Sequence, residues 1–341
     1  MRQILEKLLR RENLTEGETR GALEALLEGA VPEAQVGAFL AALRSKGESR
    51  EEIAAAARLL LDRATRVETG ETTLLDVVGT GGDGGRTFNI STTVALVCAA
   101  AGVPVAKHGN RAVSGRCGSA DVLEALGLPL LSEPEAIADS VRTTRFGFLF
   151  APHFHRVLGK VGPARRALGV RTLFNLLGPL ANPCGATHLL VGAPTPELVR
   201  PLAEALGLLG ARGALVVHGH GGVDELSLSG PNQACRLEGG TVRDEVIRPE
   251  DAGLSPAPLE ALAGGDGEEN ARILREILGG APGPKRDVVV LNAAAALQVA
   301  GHASSLAEGA AQARRVLDSG AGTAKLAEVL AFARSREEGA A

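Results

Sequence analysis

The sequence predicts an α/β protein: a small all-α N-terminal domain, then a larger α/β domain with a central, mostly parallel sheet flanked by helices. Three observations predict it. Residues up to about 66 carry only helical periodicity, five short apolar runs after Gly70 alternate with amphipathic stretches, and polar loops follow three of those runs. A chain of 341 residues, 45% of them hydrophobic, has room for two domains. The expected division is a helical domain over 1–70, joined by an inserted helical segment at about 166–184, and an α/β domain over 71–165 and 185–341.

In the first unit Ile4, Leu5, Leu8 and Leu9 form one stripe, and Thr15 with Glu18 and Ser49 with Glu52 have capping-box spacing. Pro32 fits a first helical position and Gly47 a C-terminal stop. Beyond Gly70, "TLLDVVG", "GVPVAKHG", "FGFLFAP", "THLLVG" and "GALVVHG" read as buried strands with helices between them, the pattern of βα units covered on both faces. Residues 164–183, punctuated by Pro179 and Pro183, read as a helix with its connections that crosses back to the helical unit, making a hinge and an interdomain cleft. The C-terminal stretch 321–341 reads as a helix with a solvated face.

Composition narrows the function. A formal net charge of -4, without a basic stripe or aromatic repeat, gives no reason to expect nucleic-acid binding. No apolar run approaches the ~18 residues that span a bilayer. The stretch "MRQILEKLLRRENL" mixes charge with Leu and Ile as an amphipathic helix does, unlike a signal peptide. The expectation is a cytoplasmic protein with no membrane partner. Cys98, Cys117, Cys184 and Cys235 lie far apart and are expected as reduced thiols, not as a disulfide framework or zinc site.

Parallel sheets gather ligands at the carboxyl ends of their strands. Three polar loops follow the predicted strands 74–78, 103–106 and 214–217, so they converge on one edge. The first, "VVGTGGDGGRTFNIST", holds five glycines. It lacks both the P-loop lysine and the dinucleotide-binding glycine spacing. By glycine spacing alone it reads as a tight turn; its continuation through Thr87, Asn89, Ser91 and Thr92 into a helix over 91–101 offers an anion site at a helix start. Ser91 is equally well a plain N-cap.

The second loop, "KHGNRAVSGRCGSAD", brings Lys107 beside Asn110, Ser114 and Ser119. The third, "HGHGGVDE", brings Asp224 and Glu225. Two carboxylates beside an anion cradle repel the anion unless a hard divalent ion bridges them, and oxygen ligation shared with phosphates is what Mg²⁺ takes. Together the loops predict a magnesium–polyphosphate site. His218, His220, His153 and His155 read as loop packing, not as metal pairs.

"GTGGDGGRTFNIST", "KHGNRAVSG", "GSADVLEALG", "RRALGVRTLFNLLGPLANP", "VDE" and "GGDGEENARILREIL" stand in the order and spacing of the anthranilate phosphoribosyltransferase family of tryptophan biosynthesis, which the chain resembles along essentially its whole length. The resemblance implies a homodimer of the architecture shared with pyrimidine nucleoside phosphorylases. The implied substrates are phosphoribosyl pyrophosphate (PRPP) and anthranilate, and the implied cofactor is Mg²⁺. It implies substrate contacts at Gly79, Gly82, Asp83, Thr87, Asn89, Ile90, Ser91, Thr92, Lys107, His108, Gly109, Asn110, Ser114 and Ser119. Arg165 is the implied anthranilate contact, with Asn110 and nearby Gly79; Ser91, Asp224 and Glu225 are the implied magnesium ligands, and Lys107 and Asp83 the implied catalytic groups. Gly115 departs from the family pattern, in which serine is common. The chemistry agrees: a diphosphate departing from C1 needs charge stabilisation and positioning, while an uncharged aniline nitrogen needs no strong base. A guanidinium fork at Arg165 suits a carboxylate. Two alternatives stay open here, a pyrimidine nucleoside phosphorylase-like enzyme and a non-catalytic nucleic-acid-binding relative.

Overall fold

The computed structural model describes residues 1–81, 85–112 and 115–338. Four helices open the chain: α1 (Arg2–Leu9), α2 (Glu16–Glu28), α3 (Glu33–Lys46) and α4 (Arg50–Arg63). Capping boxes start two of them. Thr15 Oγ1 accepts from the Glu18 amide at 3.2 Å while Glu18 Oε2 accepts from the Thr15 amide at 2.8 Å, and Ser49 and Glu52 repeat the exchange. Pro32 is the N-cap of α3, not its first helical residue, because its ψ of 142° is extended. Gly47 ends α3 at φ 89°, a region glycine reaches at no steric cost.

Among the described residues one sheet forms from β1 (Leu75–Gly79), β2 (Val105–Gly109), β3 (Phe146–Phe150), β4 (His188–Gly192), β5 (Gly213–His218), β6 (Asn232–Glu238) and β7 (Thr241–Ile247). Their order is β3-β2-β1-β4-β5-β6-β7, and the first five run parallel. β6 and β7 form an antiparallel hairpin at one edge, which was not expected. Its signal was present: Gly239 and Gly240, at φ 56° and 76°, make the two-residue turn that fits the twist of paired strands.

Alternate strand residues feed two cores. Leu190, Leu215 and Val217 pack with α5 (Ile90–Ala100) and helix Pro284–Val299. Leu189, Val191, Ala214 and Val216 face the other way, onto a core that includes Leu26, Leu40, Ile53 and Leu60 of the N-terminal helices and Leu173, Phe174, Leu176 and Leu177 of the inserted segment. That segment is not one helix. It breaks into helices Gly162–Leu168 and Leu173–Leu177 with a turn at Gly178–Leu180, because Gly169 at φ 63° and Pro179 interrupt it. The C-terminal helix Ala321–Glu338 is also less solvated than expected, since Leu326, Val329 and Ala333 are buried.

One strand boundary matters for the site. β2 begins after Pro104 and pairs with β3 as far as Gly109 opposite Phe150, so Lys107 and His108 lie inside the sheet and not in a loop beyond it.

Candidate active site

The carboxyl ends of β1, β2 and β5 meet at one edge, and their loops are joined by direct contacts. Asp224 Oδ2 accepts from the Gly81 amide at 2.6 Å, and Arg86 Nη2 donates to the Gly222 carbonyl at 2.7 Å, so the first and third loops touch twice. The first and second loops touch at Gly85, where an added Cβ would stand 2.9 Å from Gly115 Cα. The departure at Gly115 thus has a packing counterpart: its own Cβ would come 3.3 Å from Gly85 Cα.

Lys107 is 1% exposed. Its Nζ donates to the Val77 carbonyl at 2.6 Å and to Ser91 Oγ at 3.1 Å, which carries a positive charge under the first turn of α5. Burial lowers the ammonium pKa, while Asp76 and Glu225 favour its charged form. Asp76 itself is fully buried; burial pushes its carboxyl up to about 6 against the pull of Lys107 and a hydrogen bond from Asn182. Its Oδ1 accepts from the His108 amide at 3.2 Å and its Oδ2 from Asn182 Nδ2 at 2.8 Å.

Ser91 is not the N-cap of α5. Asn89 precedes the helix, and Ser91 stands in its first turn with its hydroxyl toward Lys107. Asn89 Oδ1 accepts from Asn270 Nδ2 at 2.9 Å, and its own side-chain amide donates to the Cys117 carbonyl at 3.3 Å. Ile90 and Thr92 are buried, the Ile90 side chain belongs to the core, and its amide donates to the Phe88 carbonyl at 2.7 Å. Among the described residues Thr92 Oγ1 has no hydrogen-bond partner. Thr87 is half-buried beside this helix start. In the second loop Gly109 gives way to Ser119, whose hydroxyl donates to the Asn110 carbonyl at 3.3 Å. Asn110 is exposed and its Oδ1 accepts from the Arg111 amide at 2.8 Å.

Asp224 fits its place because Gly79 and Gly192, paired across β1 and β4, have no side chains; a Cβ on either would collide with it. Asn292 fixes the next turn, accepting from the Leu226 amide at 2.9 Å and donating to the Leu226 carbonyl at 2.8 Å. Asp224, Glu225 and the Ser91 hydroxyl are all oxygen donors, the set that suits Mg²⁺ when substrate oxygens complete its shell. Among the described residues no three His, Cys, Asp or Glu side chains gather to enclose a metal unaided.

The histidines pack. His108 Nδ1 donates to the Gly178 carbonyl and His155 Nε2 to the Ala181 carbonyl, each at 2.9 Å; His218 Nδ1 donates to the Ala193 carbonyl at 3.0 Å, and His220 Nδ1 bonds Ser229 Oγ at 3.0 Å. Burial holds His108 down to about 3 and lowers His155, so both rings are neutral, and the His108 Nε2 lone pair meets no donor among the described residues. Arg165 is half-buried with its guanidinium 5.5 Å from the centre of the Phe174 ring, whereas Arg166 is exposed. Among the described residues no hydrogen bond or ion pair ties Arg165 to the three loops. Gly82, Asp83 and Ser114 lie outside the described residues. The four cysteines are free thiols.

Four polar residues of this region were not singled out in advance: Asp76, Arg171, Asn182 and Asn292. Asp76 within "LLDVVG" and Asn292 within "VVVLNAAAAL" carry a usable signal, a lone polar residue in an apolar run that needs a buried partner.

Two family models match: the glycosyl transferase family helical bundle domain over residues 2–64 and the glycosyl transferase family a/b domain over 71–323. The chain is 48% identical over 330 residues to anthranilate phosphoribosyltransferase of Desulfatibacillum aliphaticivorans, covering 97% of this chain and 98% of that one. The crystal structure of anthranilate phosphoribosyltransferase from Thermus thermophilus superposes with a TM-score of 0.91 at 48% identity, covering 97% of this chain and 99% of that one. The Saccharomyces cerevisiae anthranilate phosphoribosyltransferase, in complex with PRPP and Mg, superposes with a TM-score of 0.89 at 30% identity, covering 98% and 97%.

Proposed function

The chain belongs to the anthranilate phosphoribosyltransferase family, and we infer from that premise how its own residues carry out the transfer. The reaction joins the amine of anthranilate to C1 of PRPP and releases pyrophosphate, giving N-(5-phosphoribosyl)anthranilate. One observation carries the residue assignment: the buried Lys107 ammonium, the first turn of α5 and the Gly81–Asp224 contact converge at one sheet edge.

Positive charge builds on the ribose as the C1–O bond to pyrophosphate breaks, and negative charge builds on the leaving group. Lys107 faces that charge through Ser91, and the first turn of α5 adds the positive end of a helix. Because these groups are held by Val77, Asn270 and Asn292 before substrate arrives, little reorganisation accompanies the step. Asp224, Glu225 and Ser91 would hold Mg²⁺, which when bound neutralises the diphosphate that the two carboxylates would otherwise repel. The yeast relative's complex with PRPP and Mg supports this assignment. Arg165 grips the anthranilate carboxylate, and neutral His108 lines the acceptor side without adding a charge beside the developing cation. Asp83, Gly82 and Ser114 complete the PRPP contacts in this reading.

Residues 1–70 with 166–184 form the smaller unit and 71–165 with 185–341 the larger, and the protein works as a cytoplasmic homodimer. Light scattering after gel filtration tests the dimer. The transfer is tested by anthranilate fluorescence, since the chain has no tryptophan or tyrosine to compete. Anthranilate emission falls when PRPP and Mg²⁺ are both present and holds when either is omitted; phosphorolysis of uridine or thymidine in place of that fall overturns the reading.

A further inference from the structure

The peptide group between Thr80 and Gly81 is held at both ends by opposite charges. Its carbonyl accepts from Arg171 Nη2 at 2.8 Å, and its N–H donates to Asp224 Oδ2 at 2.6 Å. Arg171 thus reaches from the connection between helices Gly162–Leu168 and Leu173–Leu177 to the end of β1. Gly81 has φ 67°, and a Cβ there would lie 3.9 Å from Arg171 Nη1, so the guanidinium lies over the turn itself. Thr80 is fixed separately, its amide and hydroxyl donating to the Gly192 carbonyl at 3.0 and 2.9 Å.

We propose that Arg171 is a positioning residue that orients the Asp224 carboxylate through the Thr80–Gly81 peptide, and so links the segment bearing Arg165 to the diphosphate side of the site. A charged donor on the carbonyl polarises the peptide and strengthens the N–H bond to Asp224. Removing the guanidinium leaves the Thr80 carbonyl without its charged donor and lets the peptide rotate about the glycine, which weakens the Gly81 amide's hold on Asp224 Oδ2. Partners that orient a metal-binding carboxylate in this way act on affinity without touching the metal.

The proposal rests on the Mg²⁺ assignment above, and binding tests it without turnover. Calorimetric titration of Mg²⁺ with pyrophosphate into Arg171→Ala is expected to show affinity about tenfold weaker than the unaltered protein. Arg171→Lys, which keeps a charged donor, recovers part of it, and Arg171→Gln recovers less. In turnover the Mg²⁺ half-saturation rises in parallel while the anthranilate KM stays within about twofold, a split that general loosening of the inserted segment would not give. Unchanged binding in Arg171→Ala overturns the proposal. So does a loss that follows a fall in Tm equally in the Ala and Lys variants. Unaltered protein that binds Mg²⁺ and pyrophosphate but leaves anthranilate unconsumed overturns the transfer reading alone.

Discussion

Lys107 Nζ and Ser91 Oγ are 3.1 Å apart, and the lysine lies on the sheet while the serine lies on the first turn of the helix that follows β1. The pair joins a buried charge to a helix start, which separates its contribution to catalysis from its contribution to folding. Lys107→Met keeps length and volume without charge. Turnover is expected to fall by about 10²–10³-fold, the usual loss when one charge-stabilising donor is removed. The variant also removes the positive charge that favours the ionised form of buried Asp76, so stability is expected to fall as well. Adding Asp76→Asn restores part of the stability and none of the activity. Denaturant titration beside steady-state kinetics checks both halves.

Gly79 tests the shape of the carboxylate seat. A methyl at this position would overlap the Asp224 carboxylate and displace it from the Gly81 amide. Gly79→Ala is therefore expected to raise the PRPP KM and the Mg²⁺ requirement by an order of magnitude or more. Gly47→Ala, strained at φ 89° but distant from the loops, lowers stability and leaves both constants alone. Mg²⁺ titrations of turnover distinguish the two.

Loop placement was legible because strand runs, glycine clusters and helix starts each have a local signature. The convergence of Gly79–Gly81, Lys107 and Asp224 followed from parallel topology alone. What the local pattern hid was depth. Lys107 read as a strand-end residue, yet β2 runs on to Gly109 because β3 supplies its hydrogen bonds, a non-local pairing absent from any short window. The partners of Asp76 and Asn292 were hidden for the same reason, since they stand at distant positions, Asn182 and Leu226. The hairpin β6–β7 was missed differently: no strand was assigned there, although Gly239–Gly240 marked the turn.

Removing the metal separates the two carboxylates from the rest of the site. Chelation with EDTA is expected to abolish transfer, and excess Mg²⁺ to restore it. Glu225→Gln keeps the shape of the side chain and removes its charge, so it raises the Mg²⁺ half-saturation by about 10–100-fold. It also removes a negative neighbour of Lys107. A Mg²⁺ curve that matches the unaltered protein would exclude Glu225 as a ligand.

Arg165 stands over Phe174 with no ion pair of its own among the described residues, so its truncation disturbs few structural contacts. Arg165→Ala should raise the anthranilate KM by about 10-fold or more, as loss of a charged hydrogen bond worth about 1.5–3 kcal/mol implies. The PRPP KM should hold. Arg166→Ala, at an exposed neighbour, should change neither constant. An unchanged anthranilate KM for Arg165→Ala would remove its role.

His108 makes stability depend on pH. Burial lowers its pKa from 6.5 to about 3, with the His155 ring 5.2 Å away and further disfavouring charge. The unfolded chain therefore binds a proton below pH 6.5 that the folded protein excludes. Stability is full above that value and declines as pH falls toward 3, by about 1.4 kcal/mol per pH unit for His108. His155, lowered in the same direction, steepens the slope. Tm measured from pH 7.5 down to about 5 should drop accordingly, and His108→Gln should drop less steeply even if it begins lower, because glutamine takes up no proton in either state. Parallel slopes for the two proteins would mean that His108 is protonated in the fold, contrary to its single bond with Gly178 and its bare Nε2.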